Sequence, residues 1–148
     1  MFKKITLVTC LLALSQVALI QSAVAGPAAD EAQKHFAAIG MGDVDPLMAE
    51  YAPDASLNWI GGSLDGTYVG TQNIRAVWEK FTKAQGMLKV SVEKLEESSN
   101  PKGSTVTANV KFEGKQAIKV RYVIVSRDGH IVSETWQIDP ALTLGTAY

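Results

Sequence analysis

The sequence predicts an α+β domain in which three helices precede most of a β-sheet. Two observations lead to this class. Between residues 30 and 81 the apolar side chains recur largely at the spacing of amphipathic helices, with glycines and prolines between the runs. From residue 87 onward the apolar period changes to two, which is typical of strands with one buried face.

The first predicted helix covers residues 30–39 and the second is short. In the first helix the apolar side chains lie at i, i+4 and i+7 and two glycines follow: Ala32, Phe36 and Ile39, then Gly40 and Gly42. The second helix begins at Asp45-Pro46 and is stopped by Ala52-Pro53. A strand over residues 56–60 is predicted next.

The third helix begins near Thr71, a plausible N-cap, and carries one apolar stripe formed by Ile74, Val77, Trp78 and Phe81. Four strands follow it. In three of them the apolar residues share even numbers: Leu88, Val90 and Val92, then Val106, Ala108, Val110 and Phe112, then Ile118, Val120, Tyr122 and Ile124. We expect these even positions to face the helices.

The last hairpin turns at Ser126 to His130. A three-residue loop with Gly129 in the left-handed region would pair Tyr122 with Glu134 and keep even positions inside on the last strand. A two-residue Asp-Gly turn would instead place Tyr122 opposite Thr135 and give that strand a mixed face. The bulged three-residue loop is the predicted register.

Residues 1–25 read as a secretory signal peptide. A basic start at Lys3-Lys4 is followed by a mostly apolar run, broken by polar residues and short of a membrane span, and then by Ala23-Val24-Ala25. We therefore expect a periplasmic or secreted protein with no membrane attachment after cleavage. Its predicted parts are a domain over residues 26–139 and a loose tail over residues 140–148.

Cleavage would remove Cys10, the only cysteine, so no disulfide, thiolate nucleophile or cysteine metal site is expected. The mature chain keeps 12 basic and 15 acidic side chains, a net charge of −3 with both signs scattered. Nucleic-acid binding is therefore disfavoured. The two histidines, at positions 35 and 130, are not accompanied by a carboxylate cluster at ligand spacing, so no metal site is predicted.

The order of these elements resembles the nuclear transport factor 2-like superfamily, in particular its SnoaL-like and ketosteroid-isomerase-like branches. The residues that carry the resemblance are Gly42-Asp-Val-Asp-Pro-Leu-Met-Ala-Glu-Tyr-Ala-Pro-Asp-Ala55 and Gly70-Thr-Gln-Asn-Ile-Arg-Ala-Val-Trp78, and it extends over residues 30–139. The resemblance implies a strongly curved mixed or antiparallel sheet that forms a cone around the helices, with an inner pocket. It also implies a homodimer through the outer face of the sheet, where Lys119, Arg121, Val123, Val125, Ser133 and Thr135 would lie.

The predicted site follows from Glu134, a carboxylate on the apolar inner face that would be costly to bury without a partner or a wet cavity. His35 and Tyr122 are the predicted donors beside this catalytic candidate. Trp59, Asn58, Trp136 and Trp78 are the predicted ligand-binding residues. Each has a structural alternative, because His35 could bond a carbonyl and the tryptophans could be core.

Laid on the pattern of the ketosteroid isomerases, this sequence has His35 where their helix tyrosine stands and Tyr122 where their late-strand acid stands. Trp59 stands where the ketosteroid isomerases have their catalytic base, so this sequence lacks the carboxylate that moves the proton in their mechanism. No cofactor is predicted.

The leading hypothesis is an exported SnoaL-like protein that binds a small, partly apolar molecule in an aromatic-lined pocket. The alternative is an isomerase or dehydratase-like lyase in which Glu134 is the general base and His35 and Tyr122 are donors. A third class, a pure interaction module, is disfavoured by export.

Overall fold

The computed structural model describes residues 25–145. The predicted signal peptide, apart from Ala25, and the last three residues of the tail lie outside this range. Three helices and six strands follow one another along the chain: α1 (Pro27–Met41), α2 (Val44–Ala49), β1 (Tyr51–Ile60), β2 (Gly66–Val69), α3 (Thr71–Gln85), β3 (Lys89–Asn100), β4 (Gly103–Glu113), β5 (Ala117–Arg127) and β6 (His130–Ile138). None of the helices in residues 25–145 has the length and apolar character needed to cross a membrane.

The six strands form one mixed sheet in the order β2-β1-β6-β5-β4-β3. β1 and β6 run parallel, whereas every other neighbouring pair is antiparallel. Register shifts interrupt the β1–β6, β3–β4 and β5–β6 pairs, and such bulges bend and twist strands. The sheet is therefore curved around the helices, and the predicted α+β class with three helices against a mixed curved sheet is confirmed.

Helix α1 starts three residues earlier than predicted. Pro27 stands in its first turn, where the missing N–H of proline has no consequence. Glu97 on β3 accepts a hydrogen bond from the Ala29 backbone N–H at 2.8 Å and so satisfies one of the open donors of the helix end. Gly42, with φ of 72°, ends the helix in the left-handed conformation.

Other boundaries also differ from the sequence prediction. Thr71 is the first residue of α3 rather than its N-cap, which is Gly70. β1 begins at Tyr51, five residues before the predicted strand, and the four-residue β2 was not predicted.

The inner face of the sheet carries the even positions of β4 and β5, as predicted. Val106, Ala108, Val110, Phe112, Val120, Tyr122 and Ile124 are all buried. They pack with the apolar stripes of α1 and α3 into a core that also contains Trp59, Trp78 and Trp136. On β3 the prediction is only partly met, because Val90 and Val92 are half-buried.

The predicted register of the last hairpin is wrong by two residues. Arg127 pairs with His130, so the loop is the two-residue Asp128-Gly129 turn, and both turn residues have positive φ, at 50° and 75°. A bulge then shifts the ladder, and beyond it Ile124 pairs with Glu134 and Tyr122 with Trp136. The bulge returns the even positions of β6 to the inner face. The predicted three-residue loop would have placed the same positions inside by a different register.

The tail is partly packed rather than loose. Leu142 is buried, and the Gly145 backbone N–H donates to Glu93 at 3.0 Å. Arg121 on the outer face of β5 forms an ion pair with Asp139, just beyond β6. Lys119 on the same face donates to the Pro140 carbonyl, so the chain around residues 139–140 occupies part of the outer face on which dimerisation was predicted.

Candidate functional site

A chain of polar side chains runs through the interior of the cone, and His35 is its centre. The His35 ring lies on the buried face of α1 and is only 1% exposed. Its Nδ1 is bonded to the carboxylate of Glu50, the residue between α2 and β1, and its Nε2 lies 2.9 Å from Glu134 Oε1 on β6. His35 on α1 and Glu134 on β6 are 99 positions apart in the sequence, and the fold brings their side chains together inside the cone.

The chain of polar side chains continues on the far side of Glu134. The Tyr51 hydroxyl donates to Glu134 Oε2, and the Trp78 indole N–H donates to the Tyr51 oxygen at 2.9 Å. Glu134 is fully buried, and both of its oxygens have a partner. The cost of burying the Glu134 carboxylate on an apolar face is therefore offset, because its charge is paired and hydrogen-bonded.

The His35 ring is held in its charged form. Burial alone lowers its pKa, but the charge of Glu134 and the hydrogen bonds to Glu134 and Glu50 outweigh burial and raise the pKa to about 9. Burial likewise raises the pKa of Glu134, but the neighbouring His35 charge and hydrogen bonds leave it below its usual value. At neutral pH the site is therefore an imidazolium that donates one N–H to each of two carboxylates.

Tyr122 lies beside this chain without joining it. Burial, and then the charge of Glu134, raise the pKa of Tyr122 well above its usual value. Its hydroxyl nevertheless has no hydrogen-bond partner among the described residues, and neither does the indole N–H of Trp136. The donor that sequence reasoning assigned to Tyr122 is supplied by Tyr51.

A cavity of about 260 Å³ opens on the other side of His35. It lies between the first two turns of α1, the start of β4 and the β5–β6 turn, and its walls are mainly apolar: Ala28, Ala32, Val106, Ile124 and Ile131. Glu50 and His35 form its polar end. Of the predicted catalytic residues only His35 lines this cavity, since Glu134 and Tyr122 lie behind it.

The predicted ligand-binding residues do not line this cavity. Trp59 and Trp136 stack with ring centres 4.4 Å apart, and Trp78 packs edge-on against both. Trp59 alone reaches a second, smaller cavity of about 170 Å³, which it lines together with Phe81. Asn58 accepts a hydrogen bond from Thr67 on the neighbouring strand at 3.2 Å. The three tryptophans therefore form the core of the cone.

Sequence reasoning missed Glu50 and Tyr51. The alternation of the buried residues Ala55, Leu57 and Trp59 does not extend to Tyr51, because Pro53 is exposed and the register shifts between Tyr51 and Ser56. No local pattern marks Glu50, which stands between two elements. Within residues 25–145 no group of three or more histidines, cysteines and acidic residues is arranged to hold a metal ion.

Comparison with known families shows which class this geometry belongs to. The SnoaL-like domain family matches residues 32–134 of this protein, from the buried face of α1 to Glu134 on β6. The protein belongs to this family, a member of the nuclear transport factor 2-like superfamily, as the sequence resemblance predicted. No curated protein matches the chain.

Solved structures agree on the fold. A nuclear transport factor 2-like protein of unknown function from Pseudomonas putida is 17% identical, with a TM-score of 0.63 over 74% of this chain and 85% of that one. A candidate dehydratase of the same superfamily from Streptomyces avermitilis is 16% identical, with a TM-score of 0.63 over 76% of this chain and 94% of that one. A candidate polyketide cyclase from Sinorhizobium meliloti is 24% identical, with a TM-score of 0.51 over 73% and 94%.

Proposed function

We propose that this protein is exported and binds a small, partly apolar molecule in the cavity between α1, β4 and the β5–β6 turn. The observation that carries the proposal is the composition of that cavity, in which mainly apolar walls adjoin the largely buried polar pair Glu50 and His35. Ligand sites have this character, since apolar surface supplies affinity and a few placed polar groups fix orientation.

The size of the cavity limits the ligand. At about 260 Å³ it lies just below the range of roughly 300–1,000 Å³ that is common for small-molecule sites. We therefore expect a compact ligand with one polar group, rather than a large polycyclic molecule. The tryptophans that were predicted to stack on the ligand act indirectly, because they hold β1, β6 and α3 in place behind the polar chain.

A second function, proton transfer, is favoured by one specific observation: the polar chain reaches the cavity at Glu50. A general base must be within hydrogen-bond reach of the proton that it removes. Glu134 is fully buried with both oxygens occupied, whereas the Glu50 side chain is 25% exposed and lines the cavity. In an isomerase or lyase of this architecture Glu50 would be the base, and His35 and Glu134 would hold it in place.

The dehydratase and polyketide cyclase names of two structural neighbours are compatible with such proton transfer. Their sequence identities of 16% and 24% support a shared fold only. Ligand binding therefore remains the primary proposal, since the cavity supports it without any assumption about a reaction.

The experiment compares two variants with the same substitution on opposite faces of α1. Ala32→Phe fills the cavity, whereas Ala37→Phe adds the same ring to the exposed face. Compact apolar alcohols and ketones are titrated against each variant by calorimetry, after circular dichroism has shown that both are folded. We expect binding to the wild type and to Ala37→Phe and its loss in Ala32→Phe; equal binding by both variants would place the ligand elsewhere.

Turnover is tested on the same complexes. Each bound ketone is incubated in deuterium oxide and analysed by mass spectrometry for exchange of its α-protons. Exchange that disappears in Glu50→Gln would support proton transfer, whereas binding without exchange would leave a binding protein.

A further inference from the structure

We propose that the ligand carries a protonated amine as its polar group and that this ammonium contacts Glu50. The inference rests on the proposed function, and it names the chemical class of the ligand for the same cavity. It follows from an inventory of the hydrogen-bonding groups that the cavity presents.

The charged side-chain donor of the cavity is fully occupied. His35 is its only cationic lining residue in the described part of the chain, and both of its ring nitrogens are bonded to carboxylates, those of Glu50 and Glu134. The remaining lining side chains include no lysine, arginine, asparagine, glutamine, tyrosine or tryptophan, which leaves the hydroxyls of Ser104 and Ser126. A ligand that needs charged side-chain donors, such as a carboxylate or an enolate, finds none free among these lining side chains.

One strong acceptor is open. Glu50 bonds His35 through Oε2, and no described residue makes a hydrogen bond to its other oxygen, Oε1. The side chain is three-quarters buried, so an ammonium that reached it would form a partly desolvated, charge-assisted hydrogen bond. An anionic ligand at the same place would leave a charge without a partner, which is strongly unfavourable when buried.

The charge balance around Glu50 points the same way. The single positive charge of His35 faces two carboxylates, Glu50 and Glu134, so this group retains one negative charge. At the cavity rim Asp128 directly follows the cationic Arg127, whose side chain lies beside Gly103, and the Glu31 carboxylate is paired with Lys34 at 2.8 Å. The unbalanced charge therefore lies at Glu50. A cationic head group neutralises this excess, and the apolar walls accept its body.

The test uses three probes with one body and different head groups: cyclohexylmethylamine, cyclohexylmethanol and cyclohexanecarboxylate. Each is titrated by calorimetry at pH 7 into the wild type, into Glu50→Gln, and into Glu79→Gln, which removes the same charge from an exposed position on α3. Gln at position 50 keeps an oxygen that can accept from His35. We expect the amine to bind at least tenfold more tightly than the alcohol, and the carboxylate to bind most weakly.

In Glu50→Gln the amine should lose at least tenfold in affinity while the alcohol changes by less than threefold, and Glu79→Gln should match the wild type. Equal binding of amine and carboxylate, or an amine preference that survives Glu50→Gln, would overturn the amine inference. Alcohol binding that is lost in Ala32→Phe would in that case still support the proposed function. No binding of any of the three probes would overturn both proposals.

Discussion

The charged state of His35 leads to a measurable pH dependence of stability. Its pKa of about 9 in the folded protein lies above the ordinary 6.5. A raised pKa contributes stability that is fully present below pH 6.5 and is lost as the pH rises through about 9. The difference between the two values corresponds to about 3 kcal/mol, so the free energy of unfolding should fall by about that amount between pH 6 and pH 9.5.

Glu134→Gln is the perturbation that isolates this effect, because Glu134 makes the largest contribution to raising the pKa of His35. A neutral amide can still accept from Tyr51 and donate to a neutral His35, so we expect the variant to fold. In this variant burial still lowers the pKa of His35, and only Glu50, a weaker contributor, raises it. The variant should therefore lose much less stability than the wild type over the same pH range.

Urea unfolding from pH 6 to pH 9.5 measures both slopes, and imidazole NMR of His35 reports its pKa directly. His130→Gln removes the other histidine, which is exposed in the hairpin, and should leave the slope unchanged. Parallel pH profiles for the wild type and Glu134→Gln, or a His35 pKa near 6.5, would refute the assignment of a buried imidazolium.

Three further predictions concern other parts of the molecule. Tyr51→Phe should destabilise the protein by about 1–3 kcal/mol in urea unfolding, since it leaves Glu134 Oε2 and the Trp78 indole N–H each without a partner, whereas Tyr122→Phe removes an unbonded hydroxyl and should change stability little. Mass spectrometry of the exported protein should show a chain that begins at or near Gly26; retention of Met1, or lipid on Cys10, would contradict export by signal cleavage. Sedimentation should show a homodimer, which we expect to form through the outer face of the sheet, and a monomer at micromolar concentration would argue against it.

The sequence predicted which side of the sheet is buried, and through it the interior position of Glu134. Side-chain parity in a strand is unchanged by a shift of two residues, so the prediction placed Glu134 correctly although its register was wrong. The helix spacing likewise placed His35 near the buried stripe of α1. These inferences depend on local periodicity, which one sequence is sufficient to show.

The partners of these residues were less accessible to sequence reasoning. Glu50 and Tyr51 reach His35 and Glu134 only through the parallel β1–β6 pairing, and no local pattern reveals a contact between chain segments so far apart. The role of the tryptophans was ambiguous for a different reason. An apolar pocket wall and an apolar core have the same period, so only the packing of Trp59 against Trp136 distinguishes them.

That tryptophan core also gives the protein a built-in optical probe. All three indole rings are buried within 5.6 Å of one another, and none of them lines the cavity beside His35. Their emission should therefore lie at short wavelength, and neighbouring rings this close should couple in the near-ultraviolet circular dichroism spectrum. Both signals will report whether the cone is intact, while a compound that enters the cavity leaves them almost unchanged. Unfolding and ligand occupancy can thus be followed in one sample by separate signals.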